Sequence, residues 1–118
     1  MTLDESFPET LRNYVLNATS PEDLLLTKLR EETHAQTTRP QMLTGPVEGK
    51  FLEILVKISG AKNCLEVGTF TGYSALYIAS GLPAGGKLKT CEVRKEHAEM
   101  AQEFFNQSAV GNKHFMRS

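Results

Sequence analysis

The chain has 118 residues, 40% of them apolar and 23% charged, and a formal net charge of −1; this suits one globular domain and leaves no room for a second complete one. Charges of both signs are interspersed, so no basic stripe points to nucleic acid and no acidic tail points to a charged partner. No apolar run approaches the roughly 20 residues that cross a bilayer, and Met1 to Ser6 lacks a basic start and an apolar core, which excludes a membrane span and sets the cytoplasm as the expected compartment.

From Asp4 to Asn17, Phe7, Leu11, Tyr14 and Val15 recur at helical spacing, with Pro8 suited to a first turn. Ser20-Pro21-Glu22-Asp23 then reads as a capping serine, a proline at the first helical position and early acids, opening a second helix to about Thr33 with Leu24, Leu25 and Leu29 on one face. His34 to Gly45 has no sustained periodicity and reads as a loop. Pro46 opens a third helix whose expected buried stripe is Phe51, Leu52, Leu55 and Ile58, and Gly60 is placed to end it.

Asn63 to Val67 is a brief apolar run that stops at glycines, the pattern of a buried parallel strand. Tyr73 to Ser80 follows as helix, Pro83, Gly85 and Gly86 form a return loop, and Lys87 to Val93 makes a second strand of a βαβ unit. Glu96 to Ser108 turns Met100, Ala101, Phe104 and Phe105 toward a core, and His114-Phe115-Met116 is placed to begin a third strand. Cys64 and Cys91 lie in the two apolar strand runs, where buried free thiols are expected and a metal-type pair is not.

The turn between the first strand and its helix carries the chemistry. Such a turn gathers backbone N–H groups at a helix N-terminus, and Gly68 and Gly72 let a ligand approach the main chain. A dinucleotide fingerprint needs Gly-x-Gly-x-x-Gly, but Phe70 stands where the second glycine belongs, and no lysine follows Gly72 to reach phosphates. A nucleotide-binding oxidoreductase is thereby disfavoured. Glu66, an acid beside the turn, repels phosphate and suits an ammonium and a sulfonium, which S-adenosylmethionine carries together. Glu92, at the ligand-binding edge of the second strand, is placed to accept from both ribose hydroxyls, the alternative being a solvated turn with Arg94-Lys95-Glu96. For Phe70, Tyr73 and Tyr77 the first reading is core packing, with Phe70 also a candidate wall of the adenosine pocket.

Met42-Leu43-Thr44-Gly45-Pro46-Val47-Glu48-Gly49-Lys50-Phe51-Leu52, followed by Leu65-Glu66-Val67-Gly68-Thr69-Phe70-Thr71-Gly72-Tyr73-Ser74, resembles the cation-dependent O-methyltransferases of the catechol and caffeoyl-CoA type. Leu82-Pro83, Gly86-Lys87 and Cys91-Glu92-Val93 continue the likeness, which covers nearly the whole chain. It implies a Rossmann-like, doubly wound α/β fold, cut after its first two or three strands: a helical segment over 1–60 and a cofactor-binding βαβ portion over 61–118. It implies S-adenosylmethionine as cofactor, with Thr44 and Gly45 closing over the methionine end, Glu66, Gly68 and Thr69 on its amino-acid part, Ser74 on its carboxylate, Glu92 on its ribose and Val93 among the cofactor-binding residues. Phe70 and Gly72 complete that cofactor set, and Met42, on the substrate side, and Tyr73 would lie near the methyl group.

The resemblance also implies a divalent cation, usually magnesium, on two aspartates and an asparagine from segments after Ser118, and a small-molecule hydroxyl acceptor held by it. None of His34, His97 and His114 replaces those ligands, and Leu43 has no assigned role. A sheet cut this way is expected to rely on a homodimer or a completing chain. The alternative function is a non-catalytic cofactor-binding or assembly module.

Overall fold

A computed structural model describes residues 8–117 of the chain. Helix α1 spans Glu9–Ala18 with Pro8 as its N-cap; the expected start at Asp4 to Phe7 lies outside the described residues. Helix α2, Leu24–Gln36, begins later and ends later than its sequence pattern suggests. Asp23, and not Ser20, caps it, its carboxylate accepting from Leu25 N at 3.1 Å, so Pro21 precedes the helix. Leu26 and Leu29 form its buried face with Thr33, while Leu24 is exposed. A short 3-10 turn, Pro40–Met42, leads into α3, Pro46–Ser59, which starts at Pro46 and ends against Gly60 in a left-handed conformation, as the sequence predicts.

The strands β1 (Asn63–Val67), β2 (Lys87–Cys91) and β3 (His114–Arg117) form one parallel sheet in the order β1-β2-β3, joined by α4 (Tyr73–Gly81) and α5 (Lys95–Gln107). In register, Glu66 pairs with Thr90 and Val67 with Cys91. The third strand therefore forms where His114-Phe115-Met116 suggests it. Core side chains come from α2, α4, β2 and α5: Leu29, Tyr73, Leu76, Leu88, Phe104 and Phe105 are buried together. Cys64 and Cys91 are free but only half-buried, short of the full burial expected of them.

Helix α3 overturns one expectation. Phe51, Leu55 and Ile58 are 59%, 41% and 76% exposed, and Ile54 is exposed beside them. Its inner face is Gly49 and Glu53, which pack toward α4. Two glycines bring these helices together: a Cβ on Gly49 would meet the Tyr77 ring at 2.2 Å, and one on Gly81 would meet the Glu53 carbonyl at 2.5 Å. Of the expected stripe Leu52 alone is half-buried and the rest is left on the outer side, as are Leu65 and Val67 on the exposed face of β1. Replacing Gly81 by alanine forces a methyl group against the Glu53 carbonyl, and should cost about 1–3 kcal/mol of stability. Urea unfolding followed by circular dichroism reads this as a lower midpoint with unchanged slope; an unmoved midpoint would refute the close approach.

Candidate functional site

The chain leaves β1 at Val67 and turns through residues 68–72 into α4. Gly68 N and Thr69 N both donate to Cys91 O, at 2.8 and 3.0 Å, and Phe70 N donates to Glu92 Oε1 at 2.8 Å. The other carboxylate oxygen of Glu92 accepts from Arg94 N at 3.0 Å. The end of β2 thus holds the turn that follows β1. Phe70 has φ of +51°, the left-handed region that costs a non-glycine residue about 1–2 kcal/mol, and its charge-assisted bond to Glu92 offsets that strain. Gly68 and Gly72, both at φ +98°, satisfy the same turn without penalty.

The two glycines do different work. Nothing lies within 4 Å of a Cβ built on Gly68, so its backbone faces open space. A Cβ on Gly72 would meet Phe105 Cε1 at 2.8 Å, so Gly72 seats the turn against α5. The open side of the turn borders a cleft of about 60 Å³ lined by Met42, Leu43 and Thr44 on one wall and residues 68–70, Tyr73 and Ser74 on the other. A second cleft of about 400 Å³ adjoins it across Met42 and Phe70. Gly45 lies instead at the start of α3, where it borders a crevice against α1 with Arg12 and Leu16. Val93 is 90% exposed and lines neither cleft, and Leu43 is core.

Beneath the turn runs a chain of hydroxyls. Thr90 Oγ1 donates to Glu66 Oε1 at 2.8 Å, and Ser74 Oγ donates to Glu66 Oε2 at 2.5 Å. The Thr90 proton being committed, Thr69 donates in the 2.6 Å contact between Thr69 and Thr90. Burial pushes the Glu66 carboxyl above the usual carboxylate range, against the two hydroxyl bonds that favour its charge. Among the described residues no cationic side chain pairs with it. Ser74, expected on a ligand carboxylate, is here bonded to Glu66.

Tyr73 borders the cleft, but its hydroxyl reaches the other way and donates to Glu22, just ahead of α2. Glu22 also accepts from Arg30 Nη2 at 2.9 Å and Thr27 Oγ1 at 2.8 Å. Burial alone would raise the Glu22 carboxyl, yet the bonds from Arg30, Tyr73 and Thr27 together hold it below the usual range. Burial and the facing carboxylate push the Tyr73 phenol strongly upward, so it stays protonated. A second tie joins α2 to the turn: Thr33 Oγ1 donates to Leu29 O at 2.7 Å, so Thr71 is the donor in its buried 2.8 Å contact with Thr33. Thr33 and Thr90 lie in no motif, and Glu22 and Thr71, though within the helix start and the glycine turn, have no contact that those motifs predict; only the fold brings them here.

Among the described residues no three His, Cys, Asp or Glu side chains gather as a metal cluster, so these residues offer the implied divalent cation no ligand set. The Glu66 carboxyl titrates higher folded than unfolded, so its contribution to stability is full below about pH 4.5 and is lost as pH rises through its raised value. Glu66→Gln should therefore flatten the fall in unfolding free energy above that pH. Urea titrations at two pH values on either side check this; an equal fall in both proteins would refute the unpaired, partly buried carboxylate.

The chain is similar to known proteins over most of its length. It is 35% identical over 107 residues to a caffeoyl-CoA O-methyltransferase of Petroselinum crispum, covering 89% of this chain and 44% of that one. It is 38% identical over 76 residues to a catechol O-methyltransferase of Niastella koreensis, covering 64% and 34%. The crystal structure of an O-methyltransferase from Bacillus cereus in complex with SAH superposes with a TM-score of 0.81 at 32% identity, covering 92% of this chain and 49% of that one. The chain thus spans half or less of the length of these relatives. Residues 16–118 match the family model for O-methyltransferases, and the chain belongs to that family.

Proposed function

We propose that this chain forms the S-adenosylmethionine-binding half of an O-methyltransferase that methylates a hydroxyl of a catechol-like small molecule. The observation that carries this reading is Glu66: a half-buried carboxylate with two hydroxyl donors and, among the described residues, no cation, beside the open backbone of Gly68. An ammonium group of a ligand would supply the missing charge. In this reading Gly68 and Thr69 meet the amino-acid end of the cofactor, Thr44 and Ser74 flank it, and Met42 lies beside the methyl group. Glu92 has a lone pair left on each oxygen after holding Phe70 N and Arg94 N, enough to accept two ribose hydroxyls. Phe70 and Val93 would border the adenosine, while Gly45, Gly72 and Tyr73 shape the surrounding walls.

Methyl transfer needs the acceptor oxygen in line with the sulfonium, and a rigid turn fixes only one of the two partners. The uncovered face of β1 and the outer stripe of α3 support completion of the sheet by a further segment or a second copy, which would bring the acceptor side. No helix among the described residues is long and apolar enough to cross a membrane, and two free cysteines fit the cytoplasm as the working compartment.

Calorimetric titration with S-adenosylhomocysteine tests the reading. Saturable single-site binding is expected, and a folded sample that does not bind would overturn it. Glu92→Ala should weaken that binding by about 1–3 kcal/mol through lost charge-assisted bonds. Since Glu92 also holds the turn, unfolding midpoints of the same samples separate a lost contact from a lost fold.

A further inference from the structure

The 400 Å³ cleft beside the cofactor turn has a lining of two kinds. Arg39, from the loop after α2, and Arg94, the N-cap of α5, face it with His97; Met42 and Phe70 supply apolar walls. Among the described residues neither guanidinium has an ion pair or side-chain hydrogen bond, whereas Arg30 is held by Glu22 and Lys50 and Lys57 by Glu53. The positive end of α5 opens at the same place, and no side chain caps it. The Phe70 ring stands edge-on to His97, with centroids 4.8 Å apart and planes at 86°, which leaves a flat aromatic wall. Two carboxylates are near: Glu96, exposed in the first turn of α5, and Glu92, whose Oε2 lies 3.9 Å from His97 Nδ1 and whose oxygens both accept backbone N–H bonds, which directs its charge into the turn.

We infer that this cleft is a subsite for an aromatic oxyanion, an aryl phosphate or aryl carboxylate, held by Arg39 and Arg94 with its ring against Phe70 and Met42. Planar guanidinium groups match the oxygens of both anions, and the cleft's mixed lining discriminates against a bare inorganic anion and against an uncharged ring. Assigning that anion to the methyl acceptor rests on the proposed function; the binding itself does not.

The test titrates the chain with phenyl phosphate, benzoate, inorganic phosphate and phenol, read by calorimetry and backbone amide shifts, in the parent and in an Arg39→Gln, Arg94→Gln double variant. S-adenosylhomocysteine affinity and urea midpoints are measured on the same preparations. Phenyl phosphate and benzoate should bind about tenfold tighter than inorganic phosphate or phenol, and the double variant should lose about tenfold for both aryl anions with its midpoint unmoved. Inorganic phosphate binding as tightly as phenyl phosphate would overturn the aromatic part, and phenol binding as tightly would overturn the anionic part. Equal affinities in parent and double variant, or displacement of phenyl phosphate by S-adenosylhomocysteine, would overturn the subsite. Aryl anions that bind a chain indifferent to S-adenosylhomocysteine would support the subsite and refute the cofactor reading alone.

Discussion

The end of β2 is the fixed point around which the site is built. Three consecutive backbone donors of the turn after β1, from Gly68, Thr69 and Phe70, converge on Cys91 O and the Glu92 carboxylate. Because β1 and β2 are parallel and paired residue for residue, this convergence is possible only in the observed register, with Val67 opposite Cys91. The strained backbone of Phe70 is a by-product of that constraint. It persists because the surrounding bonds over-determine it. Gly72 then allows the turn to settle onto Phe105, and α4 leaves in the direction that buries Tyr73, Ala75 and Leu76.

Electrostatically the turn rests on an acid that has hydroxyl donors and, among the described residues, no cationic partner. Protons run one way, from Thr69 to Thr90 to Glu66, and Ser74 delivers a second to the same carboxylate. Such a chain lowers the cost of burying the charge without cancelling it, since hydroxyls contribute dipoles and not a counter-charge. Glu53, by contrast, has Lys50 and Lys57, and Glu22 has Arg30, while Glu92 is held by the backbone N–H groups of Phe70 and Arg94.

Much of this was legible in the sequence, and the failures have definite causes. Pro46 and Gly60 bracket α3 because both act through local backbone geometry. The glycine turn was legible for the same reason. The buried stripe of α3 was not: periodicity shows that Phe51, Leu55 and Ile58 share a face, but which face meets α4 is decided by small residues at Gly49 and Gly81. Ser20-Pro21 looked like a better helix start than Asp23, yet Asp23 is the residue positioned to accept from Leu25 N. The Thr69–Thr90 and Thr33–Thr71 contacts join residues 21 and 38 positions apart, so they depend on strand register and helix docking that no local pattern encodes. The cleft shared by Arg39 and His97 is hidden for the same reason.

Strand β1 has two faces of business. Its C-terminal end leads into the turn, while its length carries Leu65 and Val67 outward and pairs, among the described residues, with β2 alone. Any polypeptide that adds to its other edge would stiffen the strand from which Glu66 projects. Free energies of binding are reciprocal, so whatever such docking contributes to the grip on a small ligand, the ligand returns to the docking. A small molecule bound beside Glu66 would then act as an assembly cue, and its concentration would report on how much of the strand's edge is occupied.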